Sequence, residues 1–266
     1  MNPLNTVKNF VIYYSVISPE DIPIISAYDL AIIHPFGATD DVLSRLKSSK
    51  TLLYAYVSAV EIEKYDDFKN SLVVDDAYLY DNGVKFFKSE FSCYGGNILA
   101  KSHQNILLRI IKERIVDKGY AGVFFDTLDD IDSLQDRDSA KAQTDGYISF
   151  FKTLKSMYPG LSIIQNRGFS LFEQGSSLYT DALLFEDLNS QEAQAKEYYN
   201  NLVYELSSIA KKSSCRMMAV SHTHRQENHE FCKKLHWLYY YCPNDNNYMK
   251  LETEIDSVSN RLWFGR

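Results

Sequence analysis

Gly119-Tyr-Ala-Gly-Val-Phe-Phe-Asp-Thr-Leu-Asp-Asp-Ile-Asp132 is the stretch that decides how this chain is read. Its glycines accompany an apolar run, Ala121 to Phe125, that is too short for a helix and has the character of a strand buried on both faces. The sequence then turns acidic at Asp126, Asp129, Asp130 and Asp132. Asp126 thus falls where a strand gives way to its loop. In barrels and open sheets built from βα units, that edge carries the chemistry.

The same grammar extends in both directions. Upstream, Ile106, Leu107, Ile110, Ile111 and Ile115 form one stripe of a helix over Ser102–Lys118, which Gly119 ends. Strand-like runs occur at Phe10–Tyr14, Asp29–Ile33, Thr51–Val57, Leu161–Ile164, Thr180–Phe185 and Arg216–Val220, with Tyr248–Leu251 expected as the eighth. Helical stretches are predicted from Pro19 to Ala27, after the Thr39 cap to Ser48, and over Asp138–Tyr158, Glu192–Lys212 and Glu227–Tyr241. Eight strands separated almost throughout by helices imply an α/β protein with a parallel sheet: a (β/α)8 TIM barrel forming a single domain over residues 1–266. No glycine-rich fingerprint follows the first strand, so the commonest sign of a dinucleotide fold is missing. The long irregular stretch at about 63–100 reads as an insertion whose aromatics suit an ordered lid or wall.

Composition narrows the function. Of 266 residues, 45% are apolar and 14% aromatic, enough for a sizeable core, and the net charge of -7 argues against a nucleic-acid partner. No run of about 18 apolar residues predicts a membrane span. The N-terminus lacks the basic-then-apolar pattern of a leader, which fits a cytoplasmic chain, or an extracellular one whose leader has been trimmed. Cys93, Cys215, Cys232 and Cys242 show no metal-finger spacing and read as reduced structural thiols, with a Cys232–Cys242 disulfide as the alternative in an exported form.

In a barrel the strand ends gather on one face, which would bring together Tyr14, His34, Ser58 with Glu61, Asp126, Asn166 with Arg167, Glu186 and His222. Asp126 and Glu186 are carboxylates directly at strand ends, the residue types needed for glycosidic cleavage, where one acid protonates the leaving oxygen and the other attacks carbon or activates water. Glu186 follows Leu-Leu-Phe, so desolvation is expected to keep it protonated as the general acid; Asp126 is expected to be the ionised nucleophile or base. No cofactor is implied. Asn166 and Arg167 could hold sugar hydroxyls or a carboxylate, or simply form the turn before Gly168; Asp129, Asp130 and Asp187 could equally cap helices. Tyr13, Tyr14, Tyr54, Tyr56 and Tyr94 are candidates for a sugar platform. His222 and His224, on one face of a strand, offer a metal-dependent hydrolase as an alternative, and a non-catalytic carbohydrate-binding barrel is another.

Tyr54-Ala-Tyr-Val-Ser-Ala-Val-Glu61, Lys118-Gly-Tyr-Ala-Gly-Val-Phe-Phe-Asp-Thr-Leu-Asp129, Asn166-Arg-Gly168 and the strand ending in Glu186 occur in one order. Together they resemble the endo-alpha-1,4-polygalactosaminidase family (glycoside hydrolase family 114), and are similar to the hydrolase domain of Pel exopolysaccharide proteins. The resemblance implies a (β/α)8 barrel, endo-hydrolysis of a galactosamine-containing polysaccharide or oligosaccharide, and a catalytic pair at Asp126 and Glu186. Tyr14, His34, Tyr56, Glu61, Asp129, Asn166, Arg167 and His222 then become candidates for binding the substrate. Three strand ends depart from the family pattern: His34-Pro35 where an acid is common, Ala59-Val60 where a glycine precedes Glu61, and Ser221-His-Thr-His224.

Overall fold

The computed structural model describes residues 2–62, 71–243 and 247–256. Eight strands form one parallel sheet in chain order: β1 (Phe10–Tyr13), β2 (Leu30–Ile33), β3 (Leu52–Ser58), β4 (Gly122–Asp126), β5 (Ser162–Asn166), β6 (Ala182–Phe185), β7 (Arg216–Ser221) and β8 (Leu238–Tyr241). The Phe10 and Tyr240 rings, 5.7 Å apart, bring β1 beside β8 and nearly close the barrel. Helices cross between the strands: α1 (Asp21–Ile25), α2 (Asp40–Ser48), α3 (Lys101–Ile110, continued through a wide turn at Ile111–Val116), α4 (Arg137–Met157), α5 (Phe169–Gln174), α6 (Ser190–Ala195), α7 (Glu197–Ser213) and α8 (Arg225–Leu235). Thr39 and Asp136 accept from the backbone N–H groups that open α2 and α4, as good caps do. Among the described residues no helix is long and apolar enough to cross a membrane.

The strand period fixes what the barrel contains. Every pairing of neighbouring strands matches even-numbered residues with even-numbered ones, as in Phe10 with Leu30, Tyr54 with Gly122, Ile164 with Ala182 and Met218 with Leu238. Residues in register share a face, so the even set is one face throughout. In the second half of the sheet that face is the interior: Leu184, Met218, Val220, Leu238 and Tyr240 join the central core with Phe10 and Ile12. Leu183, Phe185, Met217, Ala219 and Tyr239 turn outward onto Val203, Leu206 and Cys232 of the helices. The interior rows end, at the C-terminal mouth, on Asp126, Asn166, Glu186 and, just past the strands, Tyr14, His34 and His222.

One expected element changes. The eighth strand is Leu238–Tyr241, inside the predicted last helix, and Tyr248–Leu251 is irregular. His236, left-handed at φ 59°, caps α8 and stops it, and the β-rich Trp237-Leu-Tyr-Tyr-Tyr run then pairs with β7. Asn247 and Tyr248 adopt left-handed backbone (φ 45° and 58°), which no strand tolerates. Two smaller differences follow from local chemistry. The predicted Glu192–Lys212 helix breaks at the extended Lys196, and α5 follows Gly168, whose left-handed backbone turns the chain into it.

The described part of the insertion, residues 71–100, contains short antiparallel strands, with Glu61–Ile62, Phe87–Lys88 and Cys93–Gly95 forming one small sheet beside the mouth; residues 63–70 of the expected lid lie outside the described residues. All four cysteines are free and buried.

Gly122 faces the interior where the Tyr54 ring fills the barrel. A Cβ there would stand 2.2 Å from that ring and 2.5 Å from the Ser162 carbonyl oxygen. Gly122→Ala is therefore expected to cost about 2–3 kcal/mol by overpacking, and thermal unfolding should show Tm lower by roughly 5–10 °C.

Candidate active site

The polar floor of the mouth is organised by one amide. The Asn166 side chain, at the end of β5, donates from Nδ2 to Asp126 Oδ1 at 2.7 Å and to Glu186 Oε2 at 2.8 Å. The two oxygens that Asn166 bridges are therefore no more than about 5.5 Å apart. Asp126 Oδ1 also accepts from the Thr127 N–H at 2.9 Å. Glu186 Oε1 accepts from the Tyr248 hydroxyl at 2.5 Å.

A repeated turn presents these three side chains. The residue directly after each is left-handed: Thr127 (φ 66°), Arg167 (φ 48°) and Asp187 (φ 58°). None is glycine, and each such residue costs about 1–2 kcal/mol of backbone strain. Hydrogen bonds at the rim hold the turns: the Thr127 hydroxyl accepts from the Val60 N–H at 3.0 Å, and the Arg167 N–H donates to the Leu184 carbonyl at 3.0 Å. The strain keeps Asp126, Asn166 and Glu186 at the lip while the chain doubles back into the following helix.

Electrostatics separate the carboxylates from ordinary ones. Burial, reinforced by the charge of Glu186, pushes the Asp126 carboxyl up to about 7, against the pull of its bonds from Asn166 and Thr127. The sequence placed the desolvated acid at Glu186; the structure places one at Asp126, because β4 is central and its end is walled by β3, β5 and the short turn Leu128–Ser133.

Around this floor, the expected residues separate into groups. Asp129, Arg167, Asp187 and His222 form a polar rim: Arg167 Nε lies 3.1 Å from Asp129 and Nη1 3.6 Å from Asp187, and His222 Nε2 is 3.3 Å from the other Asp187 oxygen. His222 Nδ1 donates to the Cys242 carbonyl at 2.7 Å. Tyr14, Tyr56 and His34 line the opposite side as a row of rings, Tyr14 to Tyr56 at 4.9 Å and Tyr56 to His34 at 5.5 Å. The row continues through His34 to Phe36 at 5.0 Å, half exposed with the Arg114 guanidinium over its ring.

Other expectations are corrected. Glu61 is only 5% exposed and hydrogen-bonded to Asp130, which also pairs with Lys88, so it ties the insertion to the barrel. Tyr54 is fully buried in the barrel interior and Tyr13 is buried against Asp21, which removes both from any platform; Tyr94 is exposed, but on the insertion. His224 is left-handed and turned to Gln191, away from the His222 ring nitrogen that meets Asp187, so the two imidazoles do not converge as a ligand pair. Among the described residues no group of three His, Cys, Asp or Glu side chains is arranged to hold a metal.

Two residues of the site escaped the sequence reading. Asp187 was visible only as a helix-capping acid, and Tyr248 was assigned to a strand. The turn-rich Pro243-Asn-Asp-Asn-Asn247 that precedes it was the available signal, since such a run reverses the chain and delivers the next side chain to a new place.

The profile of glycoside-hydrolase family GH114 matches residues 5–236, most of the chain. The chain belongs to glycoside hydrolase family GH114. A search of curated proteins finds no match. Among solved structures, this GH114 chain is similar to the glycoside hydrolase domain of PelA from Pseudomonas aeruginosa, with TM-score 0.71 and 16% identity over 91% of this chain and 96% of that one. Ega3 of Aspergillus fumigatus, solved in complex with galactosamine, superposes with TM-score 0.68 and 14% identity, covering 97% and 98%. Amy13B of Eubacterium rectale shares the fold more distantly, at TM-score 0.59 and 9% identity over 88% and 65%. At these identities the structures establish the (β/α)8 fold, and the family match establishes a glycoside hydrolase.

The raised Asp126 carboxyl gives a stability signature. Folded Asp126 keeps its proton to about pH 7, whereas an unfolded aspartate loses it near 4. The folded state binds more protons across that window, so this residue's contribution to stability falls as pH rises from about 4 to 7. Asp126→Asn retains an acceptor for Asn166 and Thr127 without the charge. Its Tm should match wild type near pH 4 and exceed it at pH 8, a gain of about 1–3 kcal/mol after allowing for solvent screening.

Proposed function

We propose that this GH114 hydrolase cleaves within an amino-sugar polysaccharide of the galactosamine type, using Asp126 and Glu186 as its two carboxylates. The observation that carries the reading is the shared Asn166 amide, which holds the two acids no more than about 5.5 Å apart. That spacing favours a retaining course, because it leaves no room for a water between the nucleophilic acid and the sugar. Asp126 acts as the nucleophile once it has given up the proton that it holds to about pH 7 in the free protein: its Oδ1 is fixed by Asn166 and Thr127, so Oδ2 is offered to the anomeric carbon. Glu186, with the longer reach, gives its proton to the departing glycosidic oxygen. Water then attacks the glycosyl–Asp126 ester, losing its proton to Glu186 and releasing Asp126.

Three further features support the substrate class. The acids on the rim, Asp129 and Asp187, suit the ammonium of an unacetylated amino sugar, with Arg167 held between them in the free protein. Tyr14, Tyr56, His34 and Phe36 form a row of rings against which successive sugars of an extended chain can pack, which favours internal cleavage. The structurally similar Ega3 was solved with galactosamine. Asn166 and His222 complete the set of residues proposed to contact substrate.

Incubation of wild type, Asp126→Asn and Glu186→Gln with partly deacetylated galactosamine polymer, read by mass spectrometry, is expected to give oligosaccharides from wild type alone. Each variant should lose about 10²–10⁴-fold in rate or more. Proton NMR of the first-formed reducing ends should show the anomeric configuration of the polymer. First-formed ends of opposite configuration would overturn the retaining course. Polymer bound but never cut by wild type would replace the hydrolase with a binding barrel.

A further inference from the structure

Tyr248 lies beyond residue 236, where the GH114 profile match ends, yet its hydroxyl donates into the centre of the candidate site. Its delivery is built into the segment 247–256. Two successive left-handed residues, Asn247 and Tyr248, turn the chain over the mouth, and the Tyr248 carbonyl accepts from the Tyr14 N–H at 2.8 Å. The ring is 9% exposed, edge-on to Tyr14 at 5.3 Å and 5.9 Å from His222. Downstream, the Tyr28 hydroxyl donates to the Glu252 carbonyl at 2.7 Å, and Arg225 pairs with Glu254 and, at 3.1 Å, with Asp256. The segment is thus latched to the end of β1, the loop between α1 and β2, and α8.

We propose that Tyr248 is a positioning residue for Glu186: it fixes the carboxyl in the rotamer that faces the glycosidic oxygen and stabilises the carboxylate left when the proton is given up. The proposal rests on the reading of Glu186 as the acid. The phenol can play this part at any working pH, since burial and the neighbouring Glu186 charge hold it well above the ordinary tyrosine range, so it remains an O–H donor. A hydrogen bond to the charged form of an acid favours that form. Every element around Glu186 bears on its charge: Asp126 on β4 opposes it, Asn166 on β5 donates to it, and Tyr248 donates from the latched segment. His222, Arg167 and Asp187 stand one shell outward on the rim, and Tyr14 of the β1 end presents a ring edge. No proton leaves Tyr248 at any step. Glu186 gives one proton to the leaving oxygen and regains one from the attacking water.

The test compares wild type, Tyr248→Phe, which retains the ring contacts, and Arg225→Gln, which loosens the latch while leaving the tyrosine in place. On polymer, Tyr248→Phe is expected to lose about 10–100-fold in kcat with little change in KM, and the basic limb of its kcat/KM profile should move up by roughly one pH unit. On an oligosaccharyl fluoride, whose leaving group needs no acid, the loss should be within about threefold. Arg225→Gln should show the same pattern, weaker. In protein labelled at the glutamate carboxyl carbons and assigned with Glu186→Gln, the Glu186 resonance should titrate at higher pH in Tyr248→Phe than in wild type. Equal losses on both substrates with an unmoved basic limb would reduce Tyr248 to packing and overturn the proposal, as would an unmoved resonance. If wild type cuts no amino-sugar polymer, the substrate reading falls, while the carbon titration still decides whether Tyr248 governs Glu186.

Discussion

Two carboxylates will not stay within about 5.5 Å of each other in a partly buried mouth unless something offsets their repulsion. Here the offset is a single amide group, Nδ2 of Asn166, donating to Asp126 and Glu186 at once. Among the described residues neither acid forms an ion pair with a cation, and Arg167 on the rim is paired with Asp129 and Asp187. The pair is therefore held by a neutral donor, and burial with the Glu186 charge still carries the Asp126 carboxyl up to about 7 against that bond. An arginine in place of Asn166 would favour the ionised form of both carboxylates and make a poorer acid–base pair.

The scaffold supplies this geometry at a cost it recovers elsewhere. The left-handed Thr127, Arg167 and Asp187 sit at consecutive strand ends, and a β-branched residue at φ 66° is among the least comfortable of such placements. The barrel can bear this because its interior is continuous, from Phe10 and Ile12 through Tyr54 and Phe124 to Tyr240, and because hydrogen bonds stitch the rim. The Ala59 carbonyl alone receives the Tyr147 hydroxyl at 2.9 Å and the His103 Nε2 at 3.0 Å. A rigid frame below and strained turns above is the arrangement expected where preorganisation serves function more than stability.

The fold was legible where side-chain period spoke clearly. Seven strands announced themselves as β-rich runs with turn residues after them, and Asp126 and Glu186 stood out as the acids that close two of those runs. β8 was misplaced because its tyrosines continue the apolar spacing of α8, and only the left-handed His236 separates the two elements. Glu61 follows β3 as a site residue would, and stands beside the Asp130–Lys88 pair that joins the insertion to the barrel.

Sequence alone determined which strand-end residues would share the mouth of the barrel, Asp126, Asn166 and Glu186 among them, because parallel pairing with a period of two sends every second residue inward whatever the details of packing. It determined the acidic lip and the hydrolase family in the same way, through short patterns that local chemistry constrains. Tertiary structure alone decided how those residues engage. Asn166 lies 40 residues from Asp126 and 20 from Glu186, and Tyr248 lies 62 from Glu186. Whether such groups meet at 2.5–2.8 Å depends on closure of the sheet and on the path of the last segment across the mouth. No local pattern encodes either, because both are sums of many contacts spread along the whole chain.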